Sequence, residues 1–177
     1  MVIEPERGYG AACLRALREI PEHIQAVVFM QADCSEDARE AQLLLTPIED
    51  GRADLVLGSR MLGSAAEGAL LAHQRWGNRL LILLIRMFFR HRFTDLGPFR
   101  AIRLDALRKL NMLDRNYGWT VEMQIRALQK GLRILEVPVS YRVRAAGENK
   151  VSGNLWTSFQ AGCKMISVLV RLAWRGS

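Results

Sequence analysis

Apolar residues near the start of the chain form two short continuous runs, with a helical pattern before and between them. Residues 26–30 and 53–57 are predicted to be buried strands, and apolar positions three to four apart predict a helix over residues 11–19. A strand, a helix and a second strand in this order predict a parallel sheet. Ligands collect beyond the carboxyl ends of the strands in such sheets. We therefore expect Asp33 and Arg60, which follow the two runs, to lie at one site.

The rest of the chain continues the alternation of helices and strands, which predicts an α/β protein. Residues 63–69 are rich in small residues and predict a loop. The later predicted elements are helices over about 73–89, 105–110, 120–130 and 155–174 and a strand over 134–139. Pro138 indicates an edge position for that strand, because proline cannot donate a backbone hydrogen bond. The last helix is amphipathic, with one apolar face made of Trp156, Phe159, Cys163, Ile166 and Val170.

Length and composition indicate one globular domain. The chain has 177 residues, of which 50% are hydrophobic and 24% charged, which excludes disordered, collagen-like and coiled-coil classes. Its three cysteines are odd in number and widely spaced, so neither a disulfide framework nor a structural zinc site is expected, and the compartment is predicted to be reducing. Basic residues bound or interrupt the longest apolar runs, so no segment is predicted to span a membrane.

Charge is divided unevenly along the sequence. Up to Ser59 there are 5 Lys and Arg residues against 11 Asp and Glu, and from Arg60 onward there are 20 against 7. The basic part predicts an anionic partner, which composition alone leaves open between nucleic acid, an anionic membrane surface and substrate phosphates. The dominance of arginine favours phosphate. Because no RNP or zinc-finger signature is present, nucleic acid is not expected as a partner.

Several acidic side chains are candidates for the site, each with a structural alternative. Asp33 at a strand end is a candidate ligand for a divalent cation, since hard cations take carboxylate oxygens together with substrate phosphates. Glu36 and Asp37 either extend this cluster or complement a helix N-terminus, and the second interpretation is favoured. Glu122 is either a site carboxylate or an acid in the first turn of a helix. The three histidines have no Ser or Cys partner in a readable arrangement, which argues against a nucleophile triad.

Basic and amide side chains further along the sequence suggest contacts with phosphate. Arg142 and Arg144, followed by a segment with glycines at both ends (residues 147–153), either close over phosphates or form an exposed basic loop. A second group shares helical spacing and either reaches anions or packs its stems on apolar surface; it consists of Gln74, Arg75, Asn78 and Arg79.

Six short motifs follow one another along nearly the whole chain. They are Arg7-Gly8-Tyr9-Gly10-Ala11, Phe29-Met30-Gln31-Ala32-Asp33, Leu57-Gly58-Ser59-Arg60, Thr94-Asp95-Leu96-Gly97-Pro98-Phe99-Arg100-Ala101, Trp119-Thr120-Val121-Glu122-Met123, and Glu136-Val137-Pro138-Val139 through Lys150-Val151-Ser152-Gly153. Their ordered co-occurrence resembles the family 2 glycosyltransferases. Within that family the chain is most similar to the dolichyl-phosphate mannose synthase or polyprenyl-phosphate glycosyltransferase type.

The resemblance implies a GT-A-like, Rossmann-like α/β fold with a C-terminal amphipathic helix. It also implies inverting transfer of a sugar from a nucleoside diphosphate sugar to a lipid (polyprenyl) phosphate or related acceptor, with Mg²⁺ or Mn²⁺ as cofactor. The expected location is cytoplasmic, peripheral to the cytoplasmic face of the membrane. The charge division agrees with this, since the cation and diphosphate would meet the acidic early part, and the acceptor phosphate and the bilayer would meet the basic remainder.

The resemblance further implies roles for individual residues. Asp33 and Gln31 would bind the metal, and Asp95 and Glu122 would be the catalytic acids. The substrate-binding residues would be Arg60, Arg75, Asn78, Arg100, Arg142, Arg144, Lys150 and Ser152. A phosphate acceptor is already an anionic nucleophile, so positioning and neutralisation of the leaving diphosphate, rather than a strong general base, would supply the rate.

Two departures from the family pattern qualify this prediction. The first position of the Asp-x-Asp metal motif is the neutral amide Gln31, so weaker metal affinity is expected. The chain also begins after the family's first strand, loop and helix and resembles an N-terminally truncated member of single-domain organisation. Residues 1–60 would be a partial nucleotide- and metal-binding half, residues 61–153 the acceptor half and residues 154–177 the C-terminal helix. An exposed sheet edge, with self-association through it, is expected. The alternative function is a non-catalytic remnant that binds membrane or phosphate through its basic second part.

Overall fold

The computed structural model describes residues 3–143 and 155–175. The described elements form an α/β fold, as predicted. They are α1 (Tyr9–Leu17), β1 (Ala26–Phe29), a short 3₁₀ helix (Ala38–Glu40), α2 (Ala41–Glu49), β2 (Leu55–Ala65), α3 (Ala72–Phe89), β3 (Arg100–Arg103), α4 (Leu104–Leu110), α5 (Trp119–Gln129), β4 (Ile134–Tyr141) and α6 (Leu155–Arg175).

The sheet is mixed rather than parallel. Its strands lie in the order β1-β3-β2-β4, in which β3 is antiparallel to both of its neighbours and β2 and β4 are parallel. The prediction of a parallel sheet is therefore corrected to a mixed one, in which β1 and β2 point in the same direction on either side of β3. The strand between them, β3, has only four residues with arginine at both ends, so its apolar run is too short to be recognised in the sequence.

The two edges of the sheet agree with expectation. Within the described residues β4 pairs only with β2, which confirms the edge position that Pro138 predicts. At the opposite edge the one described partner of β1 is β3, and self-association through this edge stays a prediction. β2 is longer than expected and includes part of the predicted loop. Gly63 permits this, since a Cβ there would lie 2.1 Å from the carbonyl oxygen of Val139.

Helices cover both faces of the sheet. On one face Leu44 and Ile48 of α2 form a cluster with residues of the sheet and its loops, namely Ala53, Val56, Phe99, Ala101 and Val139. On the other face the larger cluster joins the strands to helices α3 to α6 and includes Leu55, Leu57, Ile85, Ile102, Trp119, Ile125 and Leu169. Successive residues of β2 therefore enter opposite layers, as in a strand that is buried on both sides.

The Gly8-Tyr9-Gly10 motif lets α1 approach the loop that precedes α5. The backbone N–H of Ala11 donates to the carbonyl of Arg115 at 2.8 Å. A Cβ on Gly10 would lie 2.0 Å from the carbonyl oxygen of Asp114, so any side chain there would push α1 away from this loop. The motif therefore has a packing role in this chain.

Helices α3 and α6 leave large apolar side chains on the surface. The buried side of α6 carries Ala161, Val168, Leu169 and Leu172. Of its predicted apolar face, Phe159, Cys163 and Val170 are exposed, whereas Ile166 is partly buried against the core. The exposed apolar residues of α3 are Trp76, Leu80, Leu83, Met87 and Phe88. Within residues 3–143 and 155–175, no helix has the length and apolar character needed to cross a membrane.

Candidate functional site

The end of β1 and the start of β3 lie beside the first half of β2 at one border of the sheet. Phe29 at the end of β1 and Leu57 of β2 lie on either side of Arg100, the first residue of β3. Asp33 follows the end of β1 as predicted, whereas Arg60 lies within β2, because that strand continues to Ala65. β4 runs parallel to β2 and ends at Tyr141, opposite Ala65.

The loop after β1, residues 31–37, is called the acidic loop below, and it brings oxygen atoms together. Oγ of Ser35 lies 2.5 Å from Oδ1 of Asp33 and 3.4 Å from Oε1 of Gln31. Gln31 and Asp33 thus present oxygens to one point, and such oxygens are ligands that Mg²⁺ and Mn²⁺ accept. The described residues contain no cluster of three Asp, Glu, His or Cys side chains that could hold a metal, so a cation here would depend in part on the Gln31 amide.

Glu36 and Asp37 of the acidic loop have different environments. Asp37 is the N-cap of the 3₁₀ helix, where its side chain accepts from the backbone N–H of Arg39, so the helix-terminus interpretation is confirmed for this residue. Glu36 is only 6% exposed. Its Oε2 accepts from the backbone N–H of Gln31 at 2.7 Å, whereas its Oε1 has no hydrogen-bond partner among the residues that the structure describes. Burial raises the pKa of Glu36 to about 7, although the Gln31 hydrogen bond acts in the opposite direction.

The end of β4 lies against the acidic loop. The backbone N–H of Arg142 donates to the carbonyl of Ser35 at 2.7 Å, and its Nη2 donates to Oδ2 of Asp37 at 2.8 Å. The structure therefore brings Arg142 beside the candidate metal ligands. The other predicted residues of this basic segment lie outside the described residues; they are Arg144, Lys150 and Ser152.

Arg60 of β2 and Asp95 form a bidentate ion pair at the same border of the sheet. Nε of Arg60 donates to Oδ2 of Asp95 at 2.7 Å, and Nη2 donates to Oδ1 at 2.8 Å. The guanidinium also lies over the ring of Tyr141, 5.1 Å from its centre. Burial acts to lower the pKa of Arg60, but the hydrogen bonds and charge of Asp95 outweigh it and raise that pKa. Both oxygens of Asp95 orient Arg60, which gives Asp95 a positioning role in this structure, and its catalytic role stays a prediction.

The turn that carries Asp95 is held by Glu136, which was not among the predicted site residues, and by Asn78, which was predicted to bind substrate. Glu136 of β4 accepts from the backbone N–H groups of Thr94 and Asp95, at 2.9 and 3.2 Å, and from the Thr94 hydroxyl at 2.8 Å. Asn78 of α3 accepts from the backbone N–H of Leu96 at 3.1 Å. A lone acid in a mostly apolar strand is the signal by which Glu136 could have been found.

Arg100 lies beneath this turn and is bonded to the protein's own backbone. Its side chain is fully buried and donates to the backbone carbonyls of Gly97 and, at 3.0 Å, of Thr120. Burial lowers the pKa of Arg100 to about 10, which still leaves it charged at neutral pH. Gln124 of α5 donates to the carbonyl of Asp95 at 3.3 Å from the same side. Arg100 therefore joins the turn to α5, and its contact with substrate stays a prediction.

Glu122 is buried in α5, and its contacts are internal. Its carboxylate accepts from the backbone N–H groups of Leu113 and Asp114, at 3.1 and 2.7 Å, and from Nε of Arg126 at 2.8 Å. These donors occupy both oxygens. The structure thus shows Glu122 anchoring the loop before α5, and its catalytic role stays a prediction.

A cavity of about 220 Å³ lies between α3, α6 and the Arg60–Asp95 pair. Arg60, Arg75 and Asn78 line it, together with apolar walls formed by Leu70, Leu81, Leu96, Ala161 and Met165. Nε2 of His73 on α3 lies 3.3 Å from Oγ of Ser158 on α6, which links the two helices beside the cavity. Two arginines next to apolar walls suit a ligand with an anionic head and an apolar tail.

Comparison with known sequences identifies the family. The model of glycosyl transferase family 2 matches residues 1–110, and the chain belongs to this family. An uncharacterized glycosyltransferase of Mycobacterium bovis is 35% identical over 159 residues, which cover 88% of this chain and 69% of that protein. An undecaprenyl-phosphate mannosyltransferase of Micrococcus luteus is 29% identical over 157 residues, which cover 84% of this chain and 62% of that protein. The resemblance seen in the sequence motifs is thereby confirmed.

Comparison with solved structures confirms the GT-A-like fold. Glucosyl-3-phosphoglycerate synthase from Mycobacterium tuberculosis, in complex with Mn²⁺, uridine-diphosphate-glucose and phosphoglyceric acid, matches with a TM-score of 0.72 and 19% identity. The match covers 97% of this chain and 56% of that one, so the chain spans little more than half of the solved protein.

Proposed function

We propose that this chain transfers a sugar from a nucleoside diphosphate sugar to a polyprenyl phosphate, with inversion at the sugar carbon. The observation that carries the proposal is the position of Arg60. Asp95 orients the Arg60 guanidinium by two hydrogen bonds. Arg60 also interacts electrostatically with Glu36 of the acidic loop, and it lines the cavity. The relative named as an undecaprenyl-phosphate mannosyltransferase supports the acceptor class, and the uridine-diphosphate-glucose complex supports the donor class.

The acceptor phosphate would lie against Arg60 and Arg75. Arg60 uses Nε and Nη2 on Asp95, and within the described residues its Nη1 makes no hydrogen bond, so this nitrogen remains for a phosphate oxygen. The apolar walls would accept the first units of the prenyl chain. An ionised phosphate oxygen attacks the anomeric carbon as the bond to the diphosphate breaks, and no protein group needs to accept a proton.

Gln31 and Asp33 fit a Mg²⁺ or Mn²⁺ ion, because their oxygens converge on the Ser35 hydroxyl and are hard donors. When bound, the ion would neutralise charge on the leaving diphosphate. Arg142 is held beside this loop by Asp37 and would add charge-assisted hydrogen bonds to the same phosphates. Arg144, Lys150 and Ser152 stay predicted members of this group.

We further infer peripheral binding to the cytoplasmic face of the membrane. The exposed apolar side chains of α3 and α6 support it, as does Arg79, whose guanidinium lies 5.7 Å from the ring centre of Trp76. Apolar side chains with arginines beside them are typical of helices that lie in a membrane interface. Binding to anionic vesicles should fall as salt rises and should weaken in Leu83→Glu. Equal, salt-insensitive retention on neutral vesicles would contradict the electrostatic part of this inference.

The proposed activity is tested by incubating the chain with polyprenyl phosphate, Mn²⁺ and a panel of nucleotide sugars. We expect a glycolipid from at least one donor, formed with the anomeric configuration opposite to that of the donor and lost when the metal is chelated. Absence of product with every donor, together with retained binding to anionic vesicles, would instead favour a non-catalytic binding protein.

A further inference from the structure

We propose that Glu36 is the second carboxylate of the cation site and replaces the acid that position 31 lacks. The inference rests on the proposed function, because it concerns the same cation. With Gln31 neutral, Asp33 would be the only charged ligand supplied by the two motif positions. Affinity for hard divalent cations rises with the number of charged oxygen ligands, so a single carboxylate predicts a weak site.

Glu36 carries an oxygen that the described fold does not use. Among the described residues, only three buried side-chain polar atoms lack a hydrogen-bond partner, namely Oε1 of Glu36, Nε of Arg100 and Nε1 of Trp119. The Glu36 atom is the one acceptor of the three. A carboxylate oxygen that is buried without a partner costs free energy, and a cation would compensate for that cost.

The position of Glu36 ties it to the candidate ligands. Its other oxygen, Oε2, is 2.7 Å from the backbone nitrogen of Gln31, so the carboxylate lies against the first residue of the metal motif. Asp33, Arg60 and Arg100 are close enough to interact with it electrostatically. Neither arginine donates to Oε1. The proposed oxygen set is therefore Gln31, Asp33 and Glu36, one amide and two carboxylates within a single loop.

The inference is tested with Mn²⁺ alone, without nucleotide or acceptor. Binding to the full chain is followed by the loss of the free-ion electron paramagnetic resonance signal. We expect Glu36→Gln to weaken Mn²⁺ binding about tenfold or more, by analogy with the loss of groups that support a metal site. The matched control is Asp37→Asn, which also removes a negative charge from this loop. The Asp37 carboxylate is already paired with Arg39 and Arg142. It should change the affinity much less.

A rescue variant shows whether Glu36 is a ligand of the cation or is needed only for folding. In Gln31→Asp combined with Glu36→Gln the number of carboxylates is restored, so Mn²⁺ affinity should return toward that of the wild type. Equal affinities of wild type and Glu36→Gln would overturn the inference, and so would no Mn²⁺ binding by the wild type or failure of the rescue. Because no sugar transfer is measured, a chain that binds Mn²⁺ through Glu36 but forms no glycolipid would contradict the proposed function alone.

Discussion

Arg60 and Asp95, which are 35 residues apart in the sequence, are joined by two parallel hydrogen bonds of 2.7 and 2.8 Å. The backbone N–H of Arg60 also donates to the same carboxylate at 3.0 Å. This geometry fixes the plane of the guanidinium as well as its place. Arginine presents such a fork to a carboxylate, whereas lysine offers only a point charge.

Arg60→Lys therefore tests orientation separately from charge. We expect the rate of sugar transfer to fall by roughly a hundredfold, since a phosphate-positioning group would lose its fixed direction. The control is Arg52→Lys, because Arg52 pairs with Asp50 on the exposed surface, and it should leave the rate unchanged. A wild-type rate in Arg60→Lys would mean that charge alone is required.

Glu122→Gln should lower the free energy of unfolding. The amide cannot accept from both backbone N–H groups and from Arg126 at once, and disturbing a buried, fully hydrogen-bonded carboxylate typically costs about 2–4 kcal/mol. Urea denaturation measures the change. Asp105→Asn is the control, because its exposed pairing with Arg103 should contribute less than about 1 kcal/mol. Unchanged stability with lost sugar transfer would instead support the catalytic role predicted from the sequence.

Asp54 predicts a dependence of stability on pH. Hydrogen bonds from Arg133 lower the pKa of Asp54 from 3.8 to about 2. A carboxyl group with a lowered pKa in the folded state stabilises that state above its ordinary pKa, and this contribution is lost as pH falls from about 4 to 2. Asp54→Asn should therefore reduce the free energy of unfolding by roughly 1–2 kcal/mol at neutral pH.

The same variant should approach the wild type at pH 2, where the wild-type carboxyl group becomes protonated. Denaturant titrations at a series of pH values would show this convergence. A difference between the two proteins that stays constant with pH would contradict the assignment of the Asp54–Arg133 contact as its cause.

Gly10→Ala should destabilise the fold, because its Cβ would meet the backbone carbonyl of Asp114 at 2.0 Å. Overpacking against backbone typically costs about 1–3 kcal/mol. Gly77→Ala is the matched control in α3, since nothing lies within 4 Å of its Cβ, and alanine should favour that helix by roughly 0.5–1 kcal/mol. Opposite signs in thermal denaturation are expected. Equal effects would refute the close contact between α1 and the loop before α5.

Local patterns predicted much of the fold, because they depend on neighbours in the sequence. Helical spacing located α3 within a residue of each observed end, and Pro138 correctly placed β4 at an edge. Asp33 follows the end of β1 as predicted, but β2 continues past Arg60 to Ala65. What local patterns could not predict was the pairing of β3 between β1 and β2, which depends on contacts between distant segments.

The roles of charged residues were harder to predict than their positions. Arg100 and Glu122 belong to motifs of the family and were expected to meet substrate, yet both are buried and bonded to the protein's own backbone. Sequence does not distinguish a charge that faces a ligand from one that closes a loop. Glu36 shows the reverse case, since it was interpreted as an acid at a helix terminus, but it is buried with one oxygen unpaired.

The central claim is that Arg60 recognises the phosphate of the acceptor at the edge of the cavity. It is tested most directly by measuring the binding of polyprenyl phosphate and of the corresponding polyprenol, which lacks the phosphate, to the wild type and to Arg60→Gln in detergent. We predict that the wild type binds the phosphate at least about tenfold more tightly than the alcohol and that Arg60→Gln loses most of this preference. Equal binding of phosphate and alcohol by the wild type, or an undiminished preference in Arg60→Gln, would contradict the claim.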